Sequence, residues 1–329
     1  MVTLSNPLAS ASPKEHLLPF DVRRDLRAVA DLVELCFADT LDADGRDYLR
    51  RMRSAARSAG LLRLASTATE WASVPLAGYV WRQDNQLVGN VNVIPYFVYR
   101  RRYYLIANVA VHPDYRRRGI ARSLTRKAIE HAKKRKAPSV WLHVRQENEA
   151  ALRLYQSLNF IERARRTSWS GQPELARVES SGVGQFISPQ RRDWEQQRAW
   201  LQRAYPPELS WHLPFNLNLL RPGLMGIFFR LLYGIYIRQW ALRRDGRLLG
   251  VVSWQGGATR SNFVWLAFPP DVDEYAIQAL LLHLRENAPS RRTLMLDSPT
   301  DLASQAIQNA GFTPHQTLIW MSLSLSQIQ

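Results

Sequence analysis

Cysteine is nearly absent from this 329-residue chain, where Cys36 stands alone. One thiol excludes a disulfide framework and any metal site built from several cysteines, and no metal is expected. Val29, Leu32, Val33, Cys36 and Phe37 recur at helical spacing, so Cys36 reads as a small core residue rather than a nucleophile. Long apolar runs are missing too. The most apolar stretch, Leu213–Ile237, is broken by Arg221-Pro222 and by Arg230. It never reaches the ~18 uninterrupted apolar residues of a membrane-spanning helix. A buried helix pair or a domain-interface helix is expected there, with membrane-surface contact the minority reading. The first residues lack a basic start followed by an apolar run. Met1–Pro13 therefore reads as a short disordered lead rather than a signal peptide, and a cytoplasmic protein is expected.

Acidic residues are scarce, 28 Asp+Glu against 44 Lys+Arg, for a net charge of +16. The excess is uneven: residues 1–170 hold 29 Lys+Arg and 16 Asp+Glu, residues 171–329 only 15 and 12. Basic clusters fall at Arg100–Arg102, Arg116–Arg118, Lys133–Lys136 and Arg163–Arg166. Such a field suits an anionic ligand, an acidic protein surface or nucleic acid. The simpler reading is solvated faces plus one phosphate site, because no specific nucleic-acid-binding motif accompanies the charge. With 46% hydrophobic and 22% charged residues, the composition is that of a globular protein of one large or two ordinary domains.

The pattern along residues 16–169 predicts β-α-α-β-β-β-α-β-α-β. The elements are a strand at His16–Val22, helices at Arg23–Phe37 and Asp44–Leu64, and strands at Gly78–Arg82, Leu87–Ile94 and Tyr103–Val111. A helix at Gly119–Lys136 follows, with Ile120, Leu124, Ala128 and Ala132 at four-residue steps and Pro138 just past its end. A strand at Val140–Val144, a helix at Asn148–Leu158 and a strand at Phe160–Trp169 complete the unit. This is an α/β chain whose sheet mixes hairpins with helical crossovers. The second half echoes the first: Trp240–Gly250 repeats Tyr79–Gly89, Leu266–Asp271 repeats Val109–Asp114, Thr293–Leu296 repeats Trp141–Val144, and Leu302–Phe312 repeats the later helix. Two domains are expected, residues 1–170 and 171–329, parted in the Gly- and Ser-rich linker Ser170–Gly184.

The chemistry concentrates at Val109–Arg122. A strand ends in a tight turn that feeds directly into a helix, and the free N–H groups of that turn, with the helix dipole, make a pyrophosphate cradle. Gly119 and Ala121 let phosphate oxygens approach the backbone, while Arg116, Arg117, Arg118 and Arg122 add charge. Further on lie Trp141-Leu142-His143-Val144-Arg145, then Asn148, then Leu154-Tyr155-Gln156-Ser157-Leu158-Asn159-Phe160.

Together these motifs make Tyr104–Trp169 resemble the acetyl-CoA-binding core of the GNAT N-acetyltransferases, and within them the ribosomal-protein alanine N-acetyltransferases. The resemblance implies two GNAT-like α/β domains in tandem, each a mixed, mostly antiparallel sheet flanked by helices. It implies that Val109, Ala110 and Val111 pair with the pantetheine arm and that the loop Arg116, Arg117, Arg118, Gly119, Ile120, Ala121 and Arg122 holds the pyrophosphate. By the same likeness Asn148 binds the cofactor and Tyr155 protonates the departing thiolate. The donor would be acetyl-CoA and the acceptor a primary amine: a protein N-terminus, a lysine or a small amine. The sequence departs from its relatives at the base. They carry Glu in the strand where this chain has His143, which strand alternation sets on the face opposite Leu142 and Val144. A neutral imidazole there can take a proton, or can simply hydrogen-bond within the sheet. In the second copy, Asp273 and Glu274 stand where the arginine–glycine loop would be, and Ile307 replaces Tyr155, so cofactor chemistry is expected only in the first. The alternatives are a non-catalytic acyl-CoA sensor, or a basic scaffold associated with ribosomes or nucleic acid. Membrane contact is not expected.

Overall fold

The computed structural model describes residues 15–41, 43–57, 77–174, 184–256 and 261–325. They fall into two compact units. Unit 1 holds the chain up to His143, then Ala150–Ile161 and the residues from Ser322 on; unit 2 holds Val144–Glu149 and Glu162–Met321. Residues 175–183 of the expected linker, residues 58–64 of the expected second helix, and the N-terminal lead lie outside the described residues.

In unit 1, β1 (Glu15–Pro19) gives way to α1 (Val22–Phe37) at Asp21, whose carboxylate accepts from the N–H of Arg23 and starts the helix. The expected strand therefore ends three residues early. Helix α1 buries Leu26, Val29, Ala30, Leu32 and Val33, and α2 (Ala43–Arg57) adds Leu49 and Met52 to the same core under Val80 and Ala110. Strands β2 (Gly78–Gln83), β3 (Gln86–Val98) and β4 (Arg101–Val111) form an antiparallel meander. Helix α3 (Ile120–Lys134) crosses over to β5 (Ser139–Arg145), which runs parallel to β4. Ile120, Leu124, Thr125, Ala128 and Ala132 make the buried face of α3, the stripe that the sequence predicts. Helix α4 (Glu149–Gln156) follows, and β6 (Ile161–Gly171) takes the chain into unit 2.

Unit 2 repeats this plan. Its strands are β7 (Gln185–Ile187), β8 (Tyr236–Arg244), β9 (Arg247–Gly256), β10 (Asn262–Ala267), β11 (Leu294–Pro299) and β12 (Phe312–Ser324). Strand β6 pairs antiparallel with β11, and the order runs β12-β6-β11-β10-β9-β8-β7. The β10–β11 pair is parallel, bridged by α9 (Glu274–Asn287), as β4–β5 is bridged by α3. The remaining helices are α5 (Trp194–Ala204), α6 (Pro207–Ser210), α7 (Leu217–Leu220), α8 (Leu224–Tyr233) and α10 (Ser304–Asn309). Fully buried Trp169, Leu280, Leu281, Leu294 and Phe312 centre one core cluster.

The expectation for Leu213–Ile237 needs correction. Leu219 and Leu220 are buried as foreseen, but Leu224, Ile227, Phe228, Leu231, Leu232 and Tyr233 of α8 are exposed. The backbone explains this inversion. Gly226 is the residue that packs: a Cβ there would stand 1.8 Å from the Arg221 carbonyl oxygen. On the same side Arg230 donates from Nη1 to the Leu219 carbonyl at 3.0 Å. Helix α8 thus docks through a glycine and an arginine and turns its large side chains outward.

Candidate active site

In unit 1 the β3–β4 ladder is interrupted once. Asn90 faces Ala110 but Asn92 faces Ala107, so Asn108 and Val109 stand opposite the single residue Val91. Asn108 takes a left-handed φ of 51° to make this bulge. The ladder to β5 also stops here, running only from Tyr104↔Val140 to Ile106↔Leu142. Val109, Ala110 and Val111 therefore turn an edge away from β3 that has no ladder partner on β5. An extended ligand entering that wedge can pair with it.

A buried amide network holds the bulge. Asn90 Nδ2 donates to Asn92 Oδ1 at 3.0 Å and to the Asn108 carbonyl at 2.9 Å. Asn108 Nδ2 donates to Tyr48 Oη and to Asn92 Oδ1, each at 3.0 Å. Asn90 and Asn92 are fully buried, yet Asn90 Oδ1 and Asn92 Nδ2 have no partner among the described residues. The sequence reading did not single out these residues. The available signal was asparagine, a poor strand former, recurring inside two otherwise apolar strands.

Beyond β4, Pro113–Tyr115 makes one tight turn and Gly119, at φ 80°, opens α3. No side chain caps this helix, and apart from the adjoining backbone no atom of the described residues lies within 4 Å of where a Gly119 Cβ would sit. The first N–H groups of α3, from Ile120, Ala121 and Arg122, lack intrahelical acceptors by helix geometry and point at open space with the positive dipole end behind them. Buried Ile120 anchors the turn, and Ala121 presents only a methyl. Carbonyls fix two of the arginines: Arg116 Nε donates to Val111 O at 3.2 Å and Arg118 Nη2 to Asp114 O at 3.0 Å. Arg118 also lies over the Tyr115 ring, and Arg122 donates to Ser157 Oγ at 2.8 Å. Arg117 takes a left-handed φ of 63°. Among the described residues, none of these four guanidinium groups is paired with a carboxylate, so all are available to phosphate.

Of the other sequence candidates, Tyr155 is buried on α4 with its ring edge against Phe160, and burial pushes its phenol well above the usual range. The ring keeps its proton at any ordinary pH. His143 keeps an exposed side chain on β5, although protein crowds around it. Desolvation depresses its imidazole to about 4. Asn148 is exposed in the turn before α4. Cys36 is half-buried against the α1 core and donates from Sγ to Val111 O at 3.2 Å. Burial raises its thiol pKa and outweighs the opposing pull of Arg116, so it stays an inert thiol.

Residues 45–160 match the acetyltransferase (GNAT) family. Over this stretch the chain is similar to that family. Over 55 residues, 17% of this chain, it is 47% identical to the ribosomal protein bS18 alanine N-acetyltransferase of Escherichia coli. That segment covers 37% of the relative, so the chain spans little more than a third of the curated protein it matches. At the level of fold the likeness extends along the whole chain. A GCN5-related N-acetyltransferase from Sphaerobacter thermophilus superposes with TM-score 0.58 at 14% identity, covering 94% of this chain and 96% of that one. A tandem GNAT protein from the clavulanic acid biosynthesis pathway superposes with TM-score 0.51 at 16% identity, covering 96% and 100%. The chain thus has the tandem GNAT fold.

The second GNAT-like copy shows what the first has kept open. Helix α9 starts at Asp273, whose Oδ1 accepts from the Ala276 N–H at 3.1 Å. Its own carboxylate thus occupies the position an anion would take, and Arg244 lies 3.8 Å from the same side chain. Where α4 carries Tyr155, α10 carries buried Ile307.

Proposed function

We propose that the chain transfers an acetyl group from acetyl-CoA to a primary amine, with the donor bound at Val109–Arg122. The observation that carries this reading is the uncapped N-terminus of α3, rimmed by arginines with no carboxylate partner among the described residues and set directly after a splayed strand. Pyrophosphate fits the α3 turn, the pantetheine amides fit the edge of Val109–Val111 that has no ladder partner on β5, and an N–H of that edge polarises the thioester carbonyl. Asn148 adds a cofactor contact by its likeness to the family. Residues 1–170 form the acetyl-CoA domain in this reading, and residues 171–329 the degenerate copy.

The acceptor amine attacks the thioester carbonyl directly, and the C–S bond breaks as the tetrahedral intermediate collapses. No enzyme nucleophile takes part, which agrees with an inert Cys36. Tyr155 stabilises the leaving sulfur by donating a hydrogen bond. Full transfer of its proton to a thiolate, whose own pKa is about 8.5, runs uphill from so weakly acidic a phenol. The amine attacks in its neutral form, and His143 relays the proton that the amine nitrogen sheds once bonding to the carbonyl carbon has made that nitrogen far more acidic than a free ammonium. At an imidazole pKa of about 4 it is neutral and able to accept at neutral pH, but it holds the proton only briefly before passing it to water. A protein N-terminus, a lysine and a small amine remain the acceptor classes, because the recognised motifs all lie on the donor side.

Titration calorimetry with acetyl-CoA, followed by thiol release across an amine panel, tests the proposal. Binding with amine-dependent release supports it. Binding without release makes the chain an acyl-CoA sensor, and no binding removes the CoA site altogether.

A further inference from the structure

We propose that α8 is a docking surface for an anionic lipid membrane, on which the protein lies without crossing. Leu224, Ile227, Phe228 and Leu231 recur at intervals of three and four residues, so they form one stripe along α8. That stripe faces solvent: Leu224 is 73% exposed, Phe228 58% and Leu231 78%. Leu232, Tyr233 and, at the start of β8, Tyr236 widen it. Seven of the twelve exposed large apolar side chains among the described residues thus sit within thirteen consecutive positions. An apolar patch of this kind marks an interaction surface rather than ordinary scatter.

Charge decides between occupants. From Leu209 to Arg244 the chain carries Arg221, Arg230, Arg238, Arg243 and Arg244 and not one Asp or Glu. Arg221 and Arg238 flank the stripe in sequence, are exposed, and have no carboxylate partner among the described residues. Two-fold pairing of this face with a second copy would bring the same cations together with no carboxylate from the segment to offset them. An anionic bilayer supplies both complements at once, acyl chains for the stripe and phosphates for the arginines. Helix α8 is ten residues long, and no described helix is long and apolar enough to span a bilayer, so the contact is interfacial. The backbone is built for it. Gly226 packs the inner side against the Arg221 carbonyl, Arg230 ties it to the Leu219 carbonyl, and the outer side is left exposed.

Flotation of the full chain with vesicles tests this, using phosphatidylcholine alone and phosphatidylcholine with about 30% phosphatidylglycerol. Partitioning to the anionic vesicles is expected, at least tenfold stronger than to the neutral ones and weakened by salt. The Leu231→Glu/Phe228→Ser pair, both at exposed positions, should abolish it. Arg221→Ala and Arg238→Ala should each weaken it about fivefold, the effect of one basic residue at an anionic surface. Unchanged circular dichroism and an unchanged melting temperature show that the variants are folded. Absence of partitioning overturns the proposal, as does partitioning that the stripe variants leave intact. So does a stable dimer by light scattering that Leu231→Glu dissociates, which would assign the stripe to a second copy. None of these readouts depends on the acetyl-CoA reading.

Discussion

Replacing Gly119 by glutamate places a carboxylate at the mouth of the α3 turn, and its effect can be worked from the geometry. Apart from the adjoining backbone, no atom of the described residues lies within 4 Å of the new Cβ, so the side chain enters without a clash. The φ of 80° makes any side chain strained there, at about 1–2 kcal/mol, and Gly119→Ala measures that part alone. The strain is present in free and bound protein alike, so the alanine variant should lose stability while binding acetyl-CoA within about tenfold of wild type. Glutamate adds repulsion. A carboxylate about 5 Å from a doubly charged pyrophosphate costs about 1.7 kcal/mol at the dielectric of water and about twice that at half that dielectric. Kd should therefore rise on the order of a hundredfold. Titration calorimetry reads the affinity and thermal melting reads the strain. Asp273→Ala, which removes the self-cap of α9, is the control: it should lose about 1 kcal/mol of stability with acetyl-CoA affinity unchanged. A folded Gly119→Glu variant that binds acetyl-CoA as well as wild type would refute the cradle.

With His143 depressed to about 4, its proton-accepting form is already complete near pH 5. The acidic limb of kcat/KM assigned to His143 should therefore fall near 4 rather than 6.5. It should vanish in His143→Ala, and a limb near 6.5 would exclude the residue as base. Tyr155→Phe keeps the packing against Phe160 and removes the donor. It should lower kcat by about ten- to a thousandfold with little change in acetyl-CoA affinity, and an unchanged kcat would end its role. Asp25 is fully buried at the start of α1. Desolvation raises its pKa, but Arg24, the Asp21 N–H and Arg82 together outweigh it and leave the net shift downward. A carboxylate depressed in the folded state stabilises the fold above its unfolded pKa of about 3.9 and loses that contribution as pH falls through the folded value. Urea unfolding of Asp25→Asn should show about 2–4 kcal/mol lost at pH 7 and a shallower decline between pH 4 and 2.

Much was legible in the sequence because it is local. The α3 stripe of Ile120, Leu124, Ala128 and Ala132 and the Arg-x-x-Gly-x-Ala turn need only helical spacing and glycine's freedom to be read. The echo of Trp240–Gly250 in the second half likewise gave the second meander without any contact information. The β3–β4 hairpin was read short because its turn, Tyr99-Arg100, holds left-handed backbone at two residues that carry no turn signal. The amide network of Asn90, Asn92, Asn108 and Tyr48 joins residues up to 60 positions apart, which no local pattern encodes.

The sequence by itself determined which helix N-terminus is left uncapped, because the residues that decide it, Gly119 in one copy and Asp273 in the other, act on N–H groups two or three positions away. Only the tertiary structure decided how hard His143 holds a proton, since the cause is desolvation by packing, which no local pattern encodes. Only the tertiary structure, too, turned α8 inside out. Helical periodicity says that an apolar stripe exists; which way it faces depended on a glycine that lets the opposite side pack against backbone.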